Sequence, residues 1–528
     1  MVALGEDGMA QSTSHLALPR RGFLIGASGL MLAGQAAVAA PRAWREHHRP
    51  KGDGASPTDW SQLAKALRNG QLLRPDDPDF HAIVQPNNLR YDDVLPQGVA
   101  RCGSAADVAA AIAWAREHHV PLVTRGGGHS YAGYSTTRGL MLETSLMSRA
   151  AYDPARGVLR VGAGARNRDL YRLLGQHGRA MTHGRCPSVG AAGFLLGGGI
   201  GFNMRAHGLG GDQVLGSEIV LSDARLRRAS PKAQDKLDRD LHWASQGGGG
   251  GNFGVTTSFD LQTFDVRGQR VTVFDLKWAR DPDTPCKVPV ERLGAQLMAA
   301  LDAAPPSLGS RVSFEAVKAA ELDNGFDVNI SVLGQYAGPR AELDAILAPV
   351  VALCPPNAGR GIQEFHYWPA QAFLHEDGDT TWYQERSAFV TRAFGEDDLG
   401  AALQYLRAKP PVSGYCDLRF FQTGGAVNTP GARDTAFVHR DSRWLMVVGL
   451  YWDQNDQEDA RRMARAHAWQ DAFYARMRPL AGGGAYQNFT DPSLADYRQA
   501  YYGLNLERLA DIKRHADPAD LFRFPQSI

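Results

Sequence analysis

Glycine placement constrains this chain more than any other feature. The 58 glycines crowd into runs: Gly126–Gly128, the stretch VGAAGFLLGGGIGF from Val189 to Phe202, and Gly247–Gly251. Such runs have no side chain to bury and are costly to order, so they mark places where backbone turns tightly or approaches a ligand closely. Pro121-Leu122-Val123-Thr124 reads as a short strand and leads straight into Arg125-Gly126-Gly127-Gly128-His129-Ser130. Strand, glycine turn and then polar residues is the layout of a loop that wraps phosphate with backbone N–H groups. Gly216–Leu221 reads as a further strand between the second and third runs. No run fits G-x-G-x-x-G between a strand and a helix, which disfavours a Rossmann dinucleotide site. The P-loop pattern G-x-x-x-x-G-K-[ST] is absent as well.

At 528 residues the chain is long enough for two sizeable domains. The first 40 residues read as an address. Arg20-Arg21 precede an apolar run from Phe23 to Ala33, and Ala37-Val38-Ala39 offers an A-x-A cleavage site. The run is too short and glycine-broken to span a bilayer, so no membrane segment is expected in the mature form. The signal resembles the twin-arginine type; an ordinary secretory signal with Arg20-Arg21 as its basic region is the alternative. Residues 41–60 read as a linker. Ser104 is a good N-cap for a helix in which Val108, Ile112 and Ala115 share one face. His118-His119 at its end are simplest as dipole partners rather than metal ligands. From about 266 to 480 glycine thins and aromatic residues increase. Runs such as 327–332 and 444–449 alternate like strands, with helical stretches such as 458–477 between or after them. Residues 508–514 read as a short terminal helix that Asp517-Pro518 ends. The net charge of +1 gives no electrostatic case for nucleic acid or an anionic membrane as partner. The five cysteines, Cys102, Cys186, Cys286, Cys354 and Cys416, show no zinc spacing, and their odd number leaves at least one thiol in an exported chain.

Taken together, these segments resemble the berberine-bridge-enzyme-like flavin oxidases, a branch of the vanillyl-alcohol-oxidase (PCMH-type FAD-binding) superfamily. Five motifs carry the resemblance in order: RGGGHSYAG at 125–133, GRCPSVGAAGFLLGGGIGFNMRAHGL at 184–209, DLHWASQGGGGGNFGV at 240–255, FFQTGGAVNT at 420–429 with Ala436–Arg440, and the tail from Tyr486-Gln487-Asn488 through Asn505 to Phe522. The resemblance implies an α+β fold. A two-subdomain FAD-binding domain (61–265) would be completed by the C-terminal tail (481–528), with an antiparallel, helix-backed substrate domain (266–480) over the flavin ring. It implies FAD bonded to both His129 and Cys186. Arg125, Gly126, Gly127, Gly128 and Ser130 would line the cofactor from the first motif, and Val189, Gly190, Gly193, Gly198, Gly199 and Gly201 from the second. Asn252, Phe253, Gly254 and Val255 would do so from the third, with Tyr486, Asn488 and Asn505 from the tail. Two positions depart from the family pattern: Gln246 stands where arginine is common, and Thr423 where tyrosine often assists catalysis.

The resemblance also assigns the chemistry. Tyr486 matches a general base that takes a substrate hydroxyl proton, which calls for a pKa below the ordinary phenol value of about 10. Gln422 is a candidate substrate contact, and His439-Arg440 a structural pair. Val189, three residues after Cys186, goes with oxygen access and hence with an oxidase that yields hydrogen peroxide. The expected substrate is a small molecule. It is either a saccharide oxidised at its anomeric carbon or a secondary metabolite undergoing alcohol oxidation or oxidative cyclisation, and sugar is favoured by export and double tethering. Trp368, Trp382 and Tyr383 are candidates for stacking on sugar rings or for core. A secreted flavin-binding protein without turnover is the reading from another class.

Overall fold

The computed structural model describes residues 59–376 and 378–528. The expected export signal and almost all of the expected 41–60 linker lie outside the described residues. Three sheets build the part that carries the glycine runs. The first has the order β1 (Gln71–Leu73), β2 (Gly98–Arg101), β4 (Leu140–Glu143), β3 (Leu122–Arg125), with parallel pairing between β2, β4 and β3. The helix Ala105–Glu117 returns the chain between β2 and β3; Ser104 caps it by accepting from the Asp107 N–H, and Val108, Ile112 and Ala115 are buried. The second sheet is antiparallel in the order β5 (Ala150–Asp153), β6 (Val158–Gly162), β10 (Val255–Gln262), β8 (Val214–Val220), β9 (Leu226–Ala229). A two-stranded piece pairs β7 (Arg179–Ala180) with β11 (Phe264–Asp265).

The fourth sheet is antiparallel throughout, seven strands in the order β15 (Ala358–His366), β12 (Arg270–Trp278), β14 (Asn329–Tyr336), β13 (Leu308–Glu315), β17 (Cys416–Gln422), β18 (Trp444–Trp452), β16 (Trp382–Val390). Side chains alternate between its faces with period two. Even-numbered residues, among them Phe274, Val312, Phe314, Val332, Ala388, Leu418, Phe420, Met446 and Val448, pack under the helices Val290–Asp302, Arg340–Leu353, Glu396–Arg407 and Ala460–Ala481. Odd-numbered residues, including Phe389, Phe421, Leu445 and Val447, form a separate apolar cluster with Ile200, Met204, Tyr486 and Phe489. One face of the sheet is therefore core, and the other meets the glycine-rich part.

The tail is locked back onto the first part of the chain. In the helix Leu506–Ala516, the buried Lys513 ammonium donates to Asn252 O (2.9 Å), Phe522 O (2.7 Å) and the Asp517 carboxylate (2.7 Å). The Ile528 N–H closes the end onto Asn252 Oδ1 at 3.0 Å.

Candidate active site

The three glycine runs converge because none of them could carry side chains where they meet. A Cβ on Gly127 would lie 2.3 Å from Gly190 N, and one on Gly190 would lie 2.4 Å from Gly127 N. The first two motifs thus touch backbone to backbone. The N–H groups of Gly247 and Gly249 both donate to Leu196 O, at 3.1 and 2.9 Å, and bring in the third. The tail closes the ring, since a Cβ on Gly197 would strike the Asn488 side chain at 2.0 Å. At the root of the first loop the Arg125 guanidinium donates to Gln85 O and lies against Gly128, whose φ is +77°. The Ser130 hydroxyl accepts from the Tyr134 N–H at 3.0 Å and fixes the following turn.

His129 follows this contact by two residues. Burial pushes its pKa down to about 4, with the positive charges of Arg166 and Arg125 adding to the effect. Its imidazole is therefore neutral at physiological pH and keeps a nitrogen lone pair. Cys186 sits on the opposing loop, which is tied to the start of the helix Asn167–Gln176: Asn167 Nδ2 donates to Cys186 O (3.1 Å), Asn167 N–H to Val189 O (2.9 Å) and Arg168 N–H to Pro187 O (3.0 Å). The disulfide takes Cys286 and Cys354. Cys102 and Cys416 are buried, and burial pushes both thiols up, Cys416 to about 12, so Cys186 is the half-buried thiol of the three. Val189 is partly buried beside it.

Tyr486 is held on the odd-numbered face of the sheet, where its N–H donates to Ser387 Oγ of β16 (3.0 Å). The phenolic oxygen accepts from the Gly199 N–H (3.0 Å), from Asn488 Nδ2 (3.2 Å) and from the Ile200 N–H. Phe389, Phe437 and Phe489 surround the ring, at centroid distances of 6.1, 6.3 and 5.1 Å. Sequence reasoning asked for a pKa below the ordinary value, and the structure differs: burial pushes it up to about 12, and the donors only restrain that rise. Donors around a phenolate are in place, but desolvation outweighs them.

Other expected site residues are used differently. Gln422 is even-numbered on β17 and points into the helix layer, where its Oε1 accepts from Ser310 Oγ (2.9 Å) and its Nε2 donates to Leu301 O (2.5 Å). It is therefore not a substrate contact; Arg419 and Phe421 occupy the site face instead. Asn505 directs its amide to Ala432 O, Thr435 O and Ala436 O, shaping that loop rather than binding cofactor. Phe253 is core, Val255 pairs with Val220, and Asn252 serves the tail; Gly254 lies against Val220 O. Gly201 packs on His183 O, whereas Gly193 is exposed, with nothing within 4 Å of a would-be Cβ. Arg440 is a structural residue bound to Asp212 and Thr435, and the buried His439 stacks on Phe389. Gln246 donates to Gly211 O (3.2 Å), and Thr423 is buried with its hydroxyl unpaired. Trp368 stacks on His183 and donates to Arg179 O, while Trp382 packs on the core beside β18; Tyr383 is buried on the site face.

Sequence reasoning missed a charged cluster beside Cys186. Arg185 and Arg311 share the carboxylate of Glu376, and Arg419 is held by Glu385, Asp417 and the Tyr451 hydroxyl. Tyr131, two residues past His129, lies within electrostatic reach of Glu385, Arg419 and Cys186. The available signal was the opposite-charge pair Asp417-x-Arg419, two residues apart on β17 and so on one face of it.

The family described as "FAD binding domain" matches residues 96–230, and the one described as "Berberine and berberine like" matches 485–528. The xylooligosaccharide oxidase of Thermothelomyces thermophilus is 30% identical over 461 residues, covering 82% of this chain and 87% of that protein. This chain belongs to the berberine-bridge-enzyme-like FAD-linked oxidoreductases. An FAD-linked oxidoreductase of Bacillus subtilis, YgaK, is 28% identical over 88% of this chain and 98% of its own length. Among solved structures, BBE-like 1 of Physcomitrella patens superposes with a TM-score of 0.76 at 24% identity, covering 89% of this chain and 98% of that one. A chitooligosaccharide oxidase superposes with a TM-score of 0.75 at 25% identity over the same shares. The fold is thus that of the family's PCMH-type FAD-binding proteins. The residues present fit FAD: Arg125 Nη1, Ser135 Oγ and Ser188 Oγ on the first two loops are buried polar atoms left unpaired, and a Cβ on Gly126 or Gly193 would meet nothing closer than 3.8 Å.

Proposed function

We propose that this chain is an exported oxidase that holds FAD by two covalent bonds, at His129 and Cys186, and oxidises the hemiacetal carbon of a saccharide. The observation that carries the reading is the backbone contact between Gly127 and Gly190. It brings together the loops that carry His129, whose imidazole burial keeps neutral, and Cys186, whose thiol is half-buried. FAD held by these loops would supply the redox chemistry, as a two-electron acceptor that dioxygen would reoxidise with release of hydrogen peroxide. Tyr486 takes the substrate hydroxyl proton on its phenolic oxygen. The Gly199 and Ile200 N–H groups and Asn488 Nδ2 stabilise the phenolate needed for that step, and Ser387 fixes the residue's backbone. Phe389, Phe437 and Phe489 keep water from the base.

Three relatives support a saccharide, being named xylo-, gluco- and chitooligosaccharide oxidases at 30%, 28% and 28% identity. The charged recess beside Cys186 also favours a hydroxyl-rich substrate over an apolar one. Export rests on the Arg20-Arg21 signal, and the Cys286–Cys354 disulfide supports it, because disulfides persist in oxidising compartments. The test is anaerobic mixing of holoenzyme with oligosaccharides and with aromatic alcohols, followed by peroxide measurement in air. Bleaching of the flavin by a reducing saccharide, with peroxide on readmission of air, is expected. Bleaching by the alcohols alone would overturn the saccharide assignment.

A further inference from the structure

Resting on the saccharide reading above, we infer that the recess beside Cys186 binds a carboxylate of the substrate, so that the saccharide is an acidic one bearing a uronic acid. The cluster contains three cations, Arg185, Arg311 and Arg419, and three anions, Glu376, Glu385 and Asp417. They do not open equally onto the recess. Arg185, Arg311 and Arg419 keep 14%, 20% and 11% of their side-chain surface accessible and Glu376 keeps 25%, whereas Glu385 and Asp417 keep only 2% and 3%. A ligand therefore meets three guanidinium groups and one carboxylate. The remaining acidic neighbour, Glu315, is paired with Lys277 at 3.2 Å.

The guanidinium groups are fixed but not fully satisfied: Arg185 Nη1, Arg311 Nε and Arg419 Nε lack hydrogen-bond partners, as do Glu376 Oε1, Glu385 Oε2 and Asp417 Oδ1. Arg185 lies over the Phe421 ring at 4.4 Å and within 5.7 Å of Phe202. It shares Glu376 with Arg311, so two cations depend on one carboxylate. Arg311 Nε is buried with no hydrogen-bond partner. Burial, together with repulsion from Arg185 and Arg419, lowers the Arg311 pKa to about 10, so an arriving anion relieves strain already present. Arg419 is held from behind by Glu385, Asp417 and Tyr451, and that arrangement needs Gly449: a Cβ there would lie 2.1 Å from Asp417 Oδ1 and 3.0 Å from Arg419 Nη2. A planar guanidinium pairs with carboxylate through two parallel hydrogen bonds, which favours this anion over a hydroxyl.

The position suits a ring already engaged by Tyr486. Arg419 is registered with Val447 and Val447 with Ser387, the residue that holds Tyr486. Two strand spacings, roughly 10 Å, separate the backbones of Arg419 and Ser387. An acid group on the reacting ring or its neighbour falls within that span.

The experiment uses holoenzyme and matched pairs: glucose with glucuronate, galactose with galacturonate, and α-1,4-galactobiose with digalacturonate. Flavin bleaching and peroxide release give kcat and KM; methyl glucuronoside, which lacks an oxidisable hemiacetal, reports binding through the flavin spectrum. Uronates should exceed their neutral partners at least tenfold in kcat/KM, mainly through KM. Arg311→Gln should bring the ratio towards one and abolish methyl glucuronoside binding, and Arg311→Lys should retain part of both. Equal or better use of neutral sugars, or an unchanged ratio in Arg311→Gln, overturns the inference while leaving the oxidase reading intact. If no saccharide bleaches the flavin but methyl glucuronoside still binds in an Arg311-dependent way, the anion site stands and the saccharide oxidase reading falls.

Discussion

Replacing Asn488 by alanine removes one of the three donors on the Tyr486 oxygen and leaves the Gly199 and Ile200 N–H groups in place. A hydrogen bond to a charged acceptor is worth about 1.5–3 kcal/mol. The Asn488 contact is long at 3.2 Å and the same nitrogen also serves Phe194 O, so the lower part of that range applies. At about 1.36 kcal/mol per pKa unit, the phenol should rise by roughly 1 to 1.5 units. The active base is the phenolate, so raising its pKa moves the rising limb of the kcat/KM profile to higher pH. At a fixed pH below that limb the rate should fall about 10- to 30-fold. Asn488→Asp should move the limb further, because a carboxylate cannot donate and repels the phenolate. The assay is anaerobic flavin reduction across pH with the best saccharide found. A fall in rate without movement of the limb, or a limb that moves down, would refute proton removal by Tyr486 under control of these donors.

Other substitutions separate the elements of the account. Gln422→Leu strands Ser310 Oγ and Leu301 O in the helix layer, so it should cost about 1–3 kcal/mol in denaturant unfolding with kcat unchanged; a loss of kcat at full stability would return Gln422 to the site. Gly190→Ala drives a Cβ to within 2.4 Å of Gly127 N, where no side chain can move aside; purified protein should contain no flavin, and normal flavin content would contradict the loop contact. Thiol titration of denatured, unreduced holoenzyme should find two thiols, Cys102 and Cys416. Three would mean that Cys186 carries no flavin.

Much of this was legible in the sequence wherever one residue type has only one use. The glycine runs announced close approach, met at 127 and 190 by each other's backbone and at 197 by the Asn488 side chain, and Ser104 announced a helix start that its hydroxyl caps. The tail motif announced a return to the glycine-rich part. What escaped depended on three-dimensional parity and on burial. Phe420, Phe421 and Gln422 read alike in a strand buried on both faces, and only the sheet's register shows that the even positions face helices. The charged recess draws on Arg185, Arg311, Glu376 and Glu385 from separate strands and loops, and only the Asp417-x-Arg419 pair has a local spacing. For Tyr486 the sequence called for a lowered pKa without showing a donor; the Gly199, Ile200 and Asn488 donors, and the burial that outweighs them, depend on the folded chain.

The most direct test of the central claim is flavin attachment. Acid-precipitated holoenzyme is digested and its peptides mapped by mass, with absorbance read in pellet and supernatant. Yellow colour retained in the pellet and a cross-linked species joining the His129 and Cys186 peptides through one flavin are the predicted result. Flavin released wholly to the supernatant, with both peptides at their unmodified masses, would contradict the account.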